Sequence, residues 1–192
     1  MHNLLRNAFV IFLSILFAGR VVADPAYLSI TESIAKEGRN TVLFDERIVA
    51  FYLDEPLLSK GKMYYEPPDK LTKIVEQPEY IKQQIHGDRV LITKGEKRES
   101  YSLSSHLILE VMANTLRSLL SGNIADIEDE FAIKVVTKDK EWKMVLVPLN
   151  EMVLETVESV VIEGKGGAIM RYTITESNGD YTVTSLHDEN NI

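Results

Sequence analysis

The sequence contains no cysteine. This absence excludes disulfide bonds, thiol nucleophiles and thiolate metal sites. It also excludes attachment to a membrane through a lipid-modified cysteine. A domain without these covalent supports must be stabilised by its own apolar core, and this chain is long enough to form one.

Residues typical of catalysis are equally scarce. The four histidines are scattered, with no metal-ligand spacing between them: His2, His86, His106 and His187. No serine lies in a nucleophile-elbow pattern, and the glycines of Gly164–Gly167 join two predicted strands, which is not the context of a phosphate-binding loop. We therefore predict no catalytic residue, no metal site and no cofactor; a hydrolase using Ser59, His86 or Asp88 is the weakest alternative.

Long apolar runs are absent except near the N-terminus, where one covers residues Ala8–Gly19. Arg6 precedes this run, Arg20 ends it, and Val21-Val22-Ala23 supplies small residues before Asp24. Such a run is typical of a cleavable secretory signal, whereas a membrane-spanning helix needs about 20 apolar residues. We predict a signal peptide over residues 1–23, cleaved after Ala23, and one soluble domain over residues 24–192. An uncleaved anchor is the alternative.

Acidic residues outnumber basic ones, 29 to 21, giving a net charge of −8. Removal of Arg6 and Arg20 with the signal would change the charge from −8 to −10. A net anion repels phosphate backbones and anionic lipid surfaces. The composition therefore predicts no nucleic-acid binding.

The periodicity of the remaining chain predicts mostly strands. A first helix is expected over Ala26–Glu37, a second over His106–Ser121 with Ser104 or Ser105 as its cap, and two short helical segments over Asn123–Asp129 and Asn150–Glu155. About ten strands lie between these helices, the first of them continuing from Thr41 to Leu53. Their short turns exclude parallel pairing. The fold class is therefore mainly antiparallel β with helices on one face (α+β), as either a curled half-barrel or a sandwich.

An ordered set of residues in this chain resembles the LolA-like family of periplasmic outer-membrane lipoprotein carriers. The resemblance begins in the segment 44–71, where family positions are occupied by Phe44, Glu46, Arg47, Pro56, Leu57, Ser59, Gly61, Met63, Tyr65, Pro68, Asp69 and Leu71. It continues at Pro78, Gly87-Asp88, Leu119–Asn123, Phe131, Trp142–Pro148, Gly164 and Ser177–Asp180. No single piece is specific, but together they cover nearly all of residues 24–192 in order.

The resemblance implies a half-barrel sheet whose concave face is covered by helices over a hydrophobic cavity. It implies a periplasmic, non-enzymatic carrier that takes acylated lipoproteins from an inner-membrane transporter to an outer-membrane acceptor. The cargo could equally be another lipid, because the chain departs from the family pattern. A monomer is expected. The alternative function is an interaction module of the same fold that docks a transporter or biosynthetic partner without cargo.

Ten residues are expected to line the cavity, because carriers need apolar walls and methionine packs adaptably. They are Phe51, Met63, Tyr65, Leu71, Leu109, Met112, Leu116, Trp142, Met144 and Leu146. The alternative interpretation is that the same residues form a solid core without a cavity.

One family feature is missing. The resemblance implies an arginine that latches the lid just before the proline of the aromatic-strand turn, yet Pro67 stands at that point. Arg47 is the candidate replacement.

Overall fold

The computed structural model describes residues 25–38 and 41–188. The predicted signal peptide and its cleavage site lie outside these residues. The helices are α1 (Pro25–Glu37), α2 (Leu107–Ser121), α3 (Ile124–Glu130) and α4 (Glu151–Leu154), with a 3-10 turn over Leu103–Ser105. Within the described residues, no helix combines the length and apolar character needed to cross a membrane.

Eleven strands form one sheet. They are β1 (Thr41–Val49), β2 (Leu57–Glu66), β3 (Lys70–Gln77), β4 (Ile81–His86), β5 (Arg89–Lys94), β6 (Lys97–Ser102), β7 (Phe131–Lys138), β8 (Glu141–Pro148), β9 (Val157–Lys165), β10 (Ala168–Glu176) and β11 (Tyr181–His187). The sequence-based expectation of about ten strands joined by short turns is confirmed.

The sheet is open, and every neighbouring pair is antiparallel. Its order is β6-β5-β4-β3-β2-β1-β11-β10-β9-β8-β7. The first and last strands therefore pair at its centre, with Phe44 opposite Leu186 and Glu46 opposite Thr184. Because the described strands form a single curled sheet, the half-barrel is confirmed and the sandwich alternative is wrong.

The two faces of the sheet differ sharply in burial. On β1, Phe44 and Glu46 are buried while Asp45 and Arg47 are exposed, as the two-residue period of a strand requires. The helices cover the side that carries Phe44, which we call the interior face. Here β8 and β9 bury Met144, Leu146 and Ile162 completely, so this part of the sheet anchors the core.

Helix α2 packs against α1, which also contacts β7 and β10, and all residues of α2 from Leu107 to Leu120 are buried or half-buried. It ends at Gly122, whose φ of 72° is the left-handed conformation that glycine adopts freely. The expected cap is wrong: Ser104 and Ser105 belong to the 3-10 turn, and His106 precedes the helix without a side-chain cap bond.

The first strand is shorter than its apolar pattern predicts. It ends at Val49, and the following residues turn, with the Leu53 N–H donating to the Ala50 carbonyl at 3.0 Å. The Phe51 N–H donates to Oδ1 of Asp180 at 2.8 Å, which ties this loop to the β10–β11 turn. Phe51 is 81% exposed there, so its expected place in the cavity wall is wrong.

Two methionines test how strongly the β8 core supports the fold. Met144→Ala should lower the free energy of unfolding by about 2–5 kcal/mol, because it removes a fully buried side chain. The same substitution at Met152, which is 72% exposed, should change it by less than about 0.5 kcal/mol. Urea unfolding measures both, and equal effects would show that the β8 core is not tightly packed.

Candidate functional site

An apolar cavity of about 60 Å³ lies between the helices and the interior face of the sheet. Its walls come from helices α1 and α2 and from five strands near the sheet centre, β1, β2, β3, β10 and β11. They are Ile34, Leu116 and Leu120 on the helices, and Val42, Met63, Tyr64, Tyr65, Leu71, Gly167, Ile169, Tyr172 and Leu186 on or between the strands. This lining is suited to hydrocarbon and offers little to a polar solute.

Strand register brings these side chains together. Val42 lies opposite Met63, and Tyr65 lies opposite Leu71. Leu186 reaches the same region because β11 pairs with β1. Distant segments of the chain therefore build one wall.

Four of the ten predicted cavity residues line this cavity: Met63, Tyr65, Leu71 and Leu116. Leu109 and Met112 lie on α2, half-buried, and pack against the same core without lining it. The prediction thus identified part of the wall from β2, β3 and α2.

Trp142, Met144 and Leu146 are buried on β8, outside the cavity lining. The indole Nε1–H of Trp142 donates to the Gly166 carbonyl at 2.8 Å. A Cβ at Gly164 would come within 2.2 Å of the Trp142 ring, so only glycine fits beneath it. These three residues form solid core in this structure, as the alternative interpretation predicted.

Sequence reasoning missed every wall residue on α1, β1, β10 and β11. Ile34 had a signal, since it belongs to the apolar stripe of the first helix. For Ile169, Tyr172 and Leu186 the sequence showed only the two-residue alternation that is common to the strands of this chain, which does not distinguish a cavity wall from solid core.

Larger hollows of about 570 and 830 Å³ also border the sheet. Charged side chains such as Asp45, Lys60 and Glu76 line them. Charged and apolar side chains are mixed in their walls, whereas the smaller cavity has an almost wholly apolar lining, so size alone does not identify the candidate cavity.

Arg47 does not latch the helices. It is exposed on β1, on the face opposite the buried Phe44 and Glu46. Strand alternation fixes this orientation, so the predicted latch at Arg47 is wrong.

Arg117 of α2 makes contacts of the kind that the latch would need. Its Nε–H donates to the Asp69 carbonyl at 2.7 Å, and its second terminal nitrogen donates to the Gly87 carbonyl at 3.0 Å. Helix α2 is therefore tied to the β2–β3 and β4–β5 turns by one guanidinium.

The two turns are also tied to each other. Oδ2 of Asp69 accepts from the Gly87 N–H at 3.0 Å. Within the β2–β3 turn, the Tyr65 hydroxyl donates to the Pro68 carbonyl at 2.8 Å.

Partial burial lowers the pKa of Arg117, against the opposing effect of the Asp69 carboxylate and Tyr65. The guanidinium remains charged at any physiological pH.

The segment that precedes α2, residues 102–104, is held by hydrogen bonds to Asp88. Its carboxylate accepts from the Ser102 hydroxyl and from the Ser104 N–H, and these bonds lower the pKa of Asp88. Its carbonyl accepts from the Leu103 N–H at 2.6 Å. The β4–β5 turn therefore holds the chain just before the start of α2 and, through Arg117, further along the helix.

A family model described as "Outer membrane lipoprotein carrier protein LolA-like" matches residues 26–189. No curated protein matches the sequence.

Solved structures also resemble the chain. A LolA superfamily protein from Nitrosomonas europaea aligns with a TM-score of 0.43 and 13% identity, over 83% of this chain and 90% of that one. Lipoprotein LppX of Mycobacterium tuberculosis aligns with a TM-score of 0.47 and 11% identity, over 85% and 94% of the two chains. LprF of Mycobacterium bovis aligns with a TM-score of 0.38 and 8% identity, over 86% of this chain and 93% of that one.

Arg117→Ala should loosen α2 without unfolding the sheet. Loss of two hydrogen bonds from a charged, half-buried group should weaken closure by about 1–2 kcal/mol, which is about a five- to thirtyfold change in an opening equilibrium. Amide hydrogen exchange should therefore accelerate by that factor in α2 and stay unchanged in β8 and β9.

Arg171→Ala is the matched control, because its side chain is 53% exposed on the sheet and contacts only Glu163 among the described charges, at 3.7 Å. It should leave exchange in α2 unaltered. Equal exchange rates in α2 for the Arg117 variant and the unsubstituted protein would contradict a latch.

Proposed function

Because the chain belongs to the LolA-like family of outer membrane lipoprotein carrier proteins, we propose that it is a carrier of acyl chains. It binds the acyl chains of lipoproteins or related lipids beneath α1 and α2 and shuttles them from the inner toward the outer membrane. The observation that carries this proposal is the apolar cavity between helices and sheet.

The hydrophobic effect is the reason that a carrier is needed between two membranes. Each methylene exposed to water costs about 0.8 kcal/mol, so a long acyl chain outside a membrane or a cavity is disfavoured by on the order of 10 kcal/mol. A cavity this apolar therefore lets an acyl chain leave one membrane and cross water.

The cavity must enlarge to accept that chain. Ligand pockets commonly hold about 300–1,000 Å³, and this one holds about 60 Å³. We therefore take the described conformation as the closed one. Loading separates α2 from β1, β2 and β3, and Arg117 is the polar contact that must break.

Release follows from the same balance. Closing the empty protein buries the apolar faces of Leu116 and Leu120 against the sheet, which repays part of the free energy lost when the cargo leaves. A carrier with a permanently open cavity would lack this compensation and would hold its cargo too tightly.

The proposed setting is the periplasm. Residues 1–23 act as the cleaved signal, and residues 24–192 form a single monomeric domain. Its partners are an inner-membrane donor and an outer-membrane acceptor, as for a carrier in this family. It performs no catalysis.

A second candidate function rests on exposed apolar side chains at one end of the sheet. We call these residues the apolar rim: Phe51, Tyr52, Leu57, Leu58, Tyr80, Leu149, Met152 and Leu154. They lie in or beside loops that follow β1, β3 and β8, which share one end of the antiparallel sheet. A module that docks a transporter or biosynthetic partner through this rim would keep its interior shut and take up no acyl ligand.

Substitution of one wall residue separates the two functions. Met63→Gln keeps the shape of a half-buried wall residue but adds an amide to an apolar cavity. It should weaken binding of a fluorescent fatty acyl probe about tenfold, because an unsatisfied amide costs about 1–3 kcal/mol. Met152→Gln, on the apolar rim, should leave the affinity unchanged.

Fluorescence titration of the unsubstituted protein and the two variants measures these affinities. Uptake of the probe with equal affinity by all three proteins would place the ligand outside the cavity. No uptake by the unsubstituted protein would overturn the carrier function.

A further inference from the structure

Another pocket lies away from the apolar cavity, where the start of α2, the end of α3 and the connection from β8 to α4 meet. Its volume is about 240 Å³, and it shares no lining residue with the apolar cavity. Its apolar walls are Leu107, Val111, Phe131, Pro148 and Val153. Uptake of an acyl chain beneath α1 and α2 therefore gives this pocket no role.

Oxygen-bearing side chains complete the lining, and three of them are carboxylates. They are Glu110, Asn114, Asp129, Glu130 and Asn150. In the part of the chain that the structure describes, no basic side chain forms an ion pair with any of the three acids. Partial burial raises the pKa of Glu130, and the negative charges of Asp126, Glu110 and Asp129 add to this effect. A cation in the pocket would offset this mutual repulsion.

The lining matches the two parts of an arginine side chain. An arginine has an apolar stem that packs on apolar walls, and its guanidinium carries five N–H donors for carboxylate and amide oxygens. A divalent metal ion fits less well, because it would need several converging oxygen ligands. Among the described residues, no group of three or more side chains is suited to hold a metal ion.

Exposed apolar side chains continue from the pocket onto α4. Leu149 and Met152 are 56% and 72% exposed, and they lie next in sequence to pocket residues. A free amine would fill the pocket and leave these side chains in water, whereas a protein segment covers both. The carboxylates repel an anionic membrane surface. The charge and the apolar surface together favour a cationic protein segment.

Hydrogen bonds order this surface before any partner binds. The Leu149 N–H donates to the Glu130 carbonyl at 2.9 Å, which joins the β8–α4 connection to the end of α3. Oδ1 of Asn150 accepts from the Met152 N–H at 2.9 Å, and the Ser177 hydroxyl donates to the Leu154 carbonyl at 2.6 Å. A surface that is already ordered loses less conformational entropy on binding.

We propose that this pocket and the exposed side chains of α4 form a docking site for a protein segment in which an arginine is flanked by apolar residues. The arginine enters the pocket and its guanidinium donates to the carboxylates there. The flanking residues pack on Leu149 and Met152. This inference goes beyond the carrier function, and it gives the chemistry of the partner that the apolar rim would take in the second candidate function.

Fluorescence anisotropy of three labelled peptides of equal length tests the proposal on the unsubstituted protein. The first peptide alternates arginine with leucine, the second glutamate with leucine, and the third arginine with serine. The first should bind about tenfold or more tightly than either of the others, because only it offers both a cation and apolar surface. Equal binding of the two arginine peptides would overturn the proposal, since charge alone would then explain the binding.

Variants locate the site. Glu130→Gln should weaken binding of the arginine–leucine peptide about tenfold, because it removes a charged acceptor. The fold should persist, since burial and neighbouring acids already disfavour that charge. Leu149→Ser should weaken binding about fivefold through loss of apolar contact.

The matched control is Glu99→Gln, which removes the same charge from an exposed position on β6 and should leave the affinity unchanged. Equal weakening by Glu99→Gln and Glu130→Gln would show that only net charge matters and would overturn the site. Binding of the unsubstituted protein to phosphatidylglycerol vesicles but to none of the peptides would assign the surface to a membrane instead. Uptake of an acyl probe without binding of the arginine–leucine peptide would overturn the docking site and leave the carrier function intact.

Discussion

Helix α2 is held against the sheet by apolar contacts along its length and by one charged side chain. The apolar contacts bury Val111, Leu116 and Leu119, and the charged contact is the pair of bonds from Arg117 to two turns. An open sheet cannot leave its interior face in water, so some element must cover it. The position of α2 therefore determines whether the interior is core or cavity.

The two kinds of contact have different consequences for opening. Apolar burial is non-directional and can be replaced by an acyl chain, which makes similar contacts with the same walls. The bonds of Arg117 have fixed geometry and cannot be replaced by hydrocarbon. In the proposed carrier, closure thus combines apolar contacts that cargo can replace with a polar contact that resists opening when cargo is absent.

Much of the fold was predictable from local sequence. Turn residues such as Gly87-Asp88 and Asn178-Gly179 mark where strands reverse, and the apolar spacing of α2 marks its length. Phe51 was misplaced because an apolar run on both faces of a strand does not show where pairing ends. The loop there is fixed by Asp180, a residue distant in sequence.

The site was less predictable, for a physical reason. Whether an apolar residue lines a cavity depends on register between strands such as β1 and β11, which lie at opposite ends of the domain sequence. Trp142 and Met63 both lie on predicted strands, yet Trp142 is in solid core and Met63 lines the cavity. The predicted latch was placed on a strand, at Arg47, whereas Arg117 reaches the turns from α2.

Separation of α2 from the sheet is the central claim, and a distance measurement tests it most directly. The cysteine-free chain allows spin labels at two introduced cysteines, Ser121→Cys at the end of α2 and Arg89→Cys on β5, both exposed positions. Without ligand, pulsed electron paramagnetic resonance should give one narrow distribution of the distance between the two labels. Saturation with an acylated ligand should lengthen that distance or add a population at longer distance. A bound acyl ligand with no change in that distance would contradict the account.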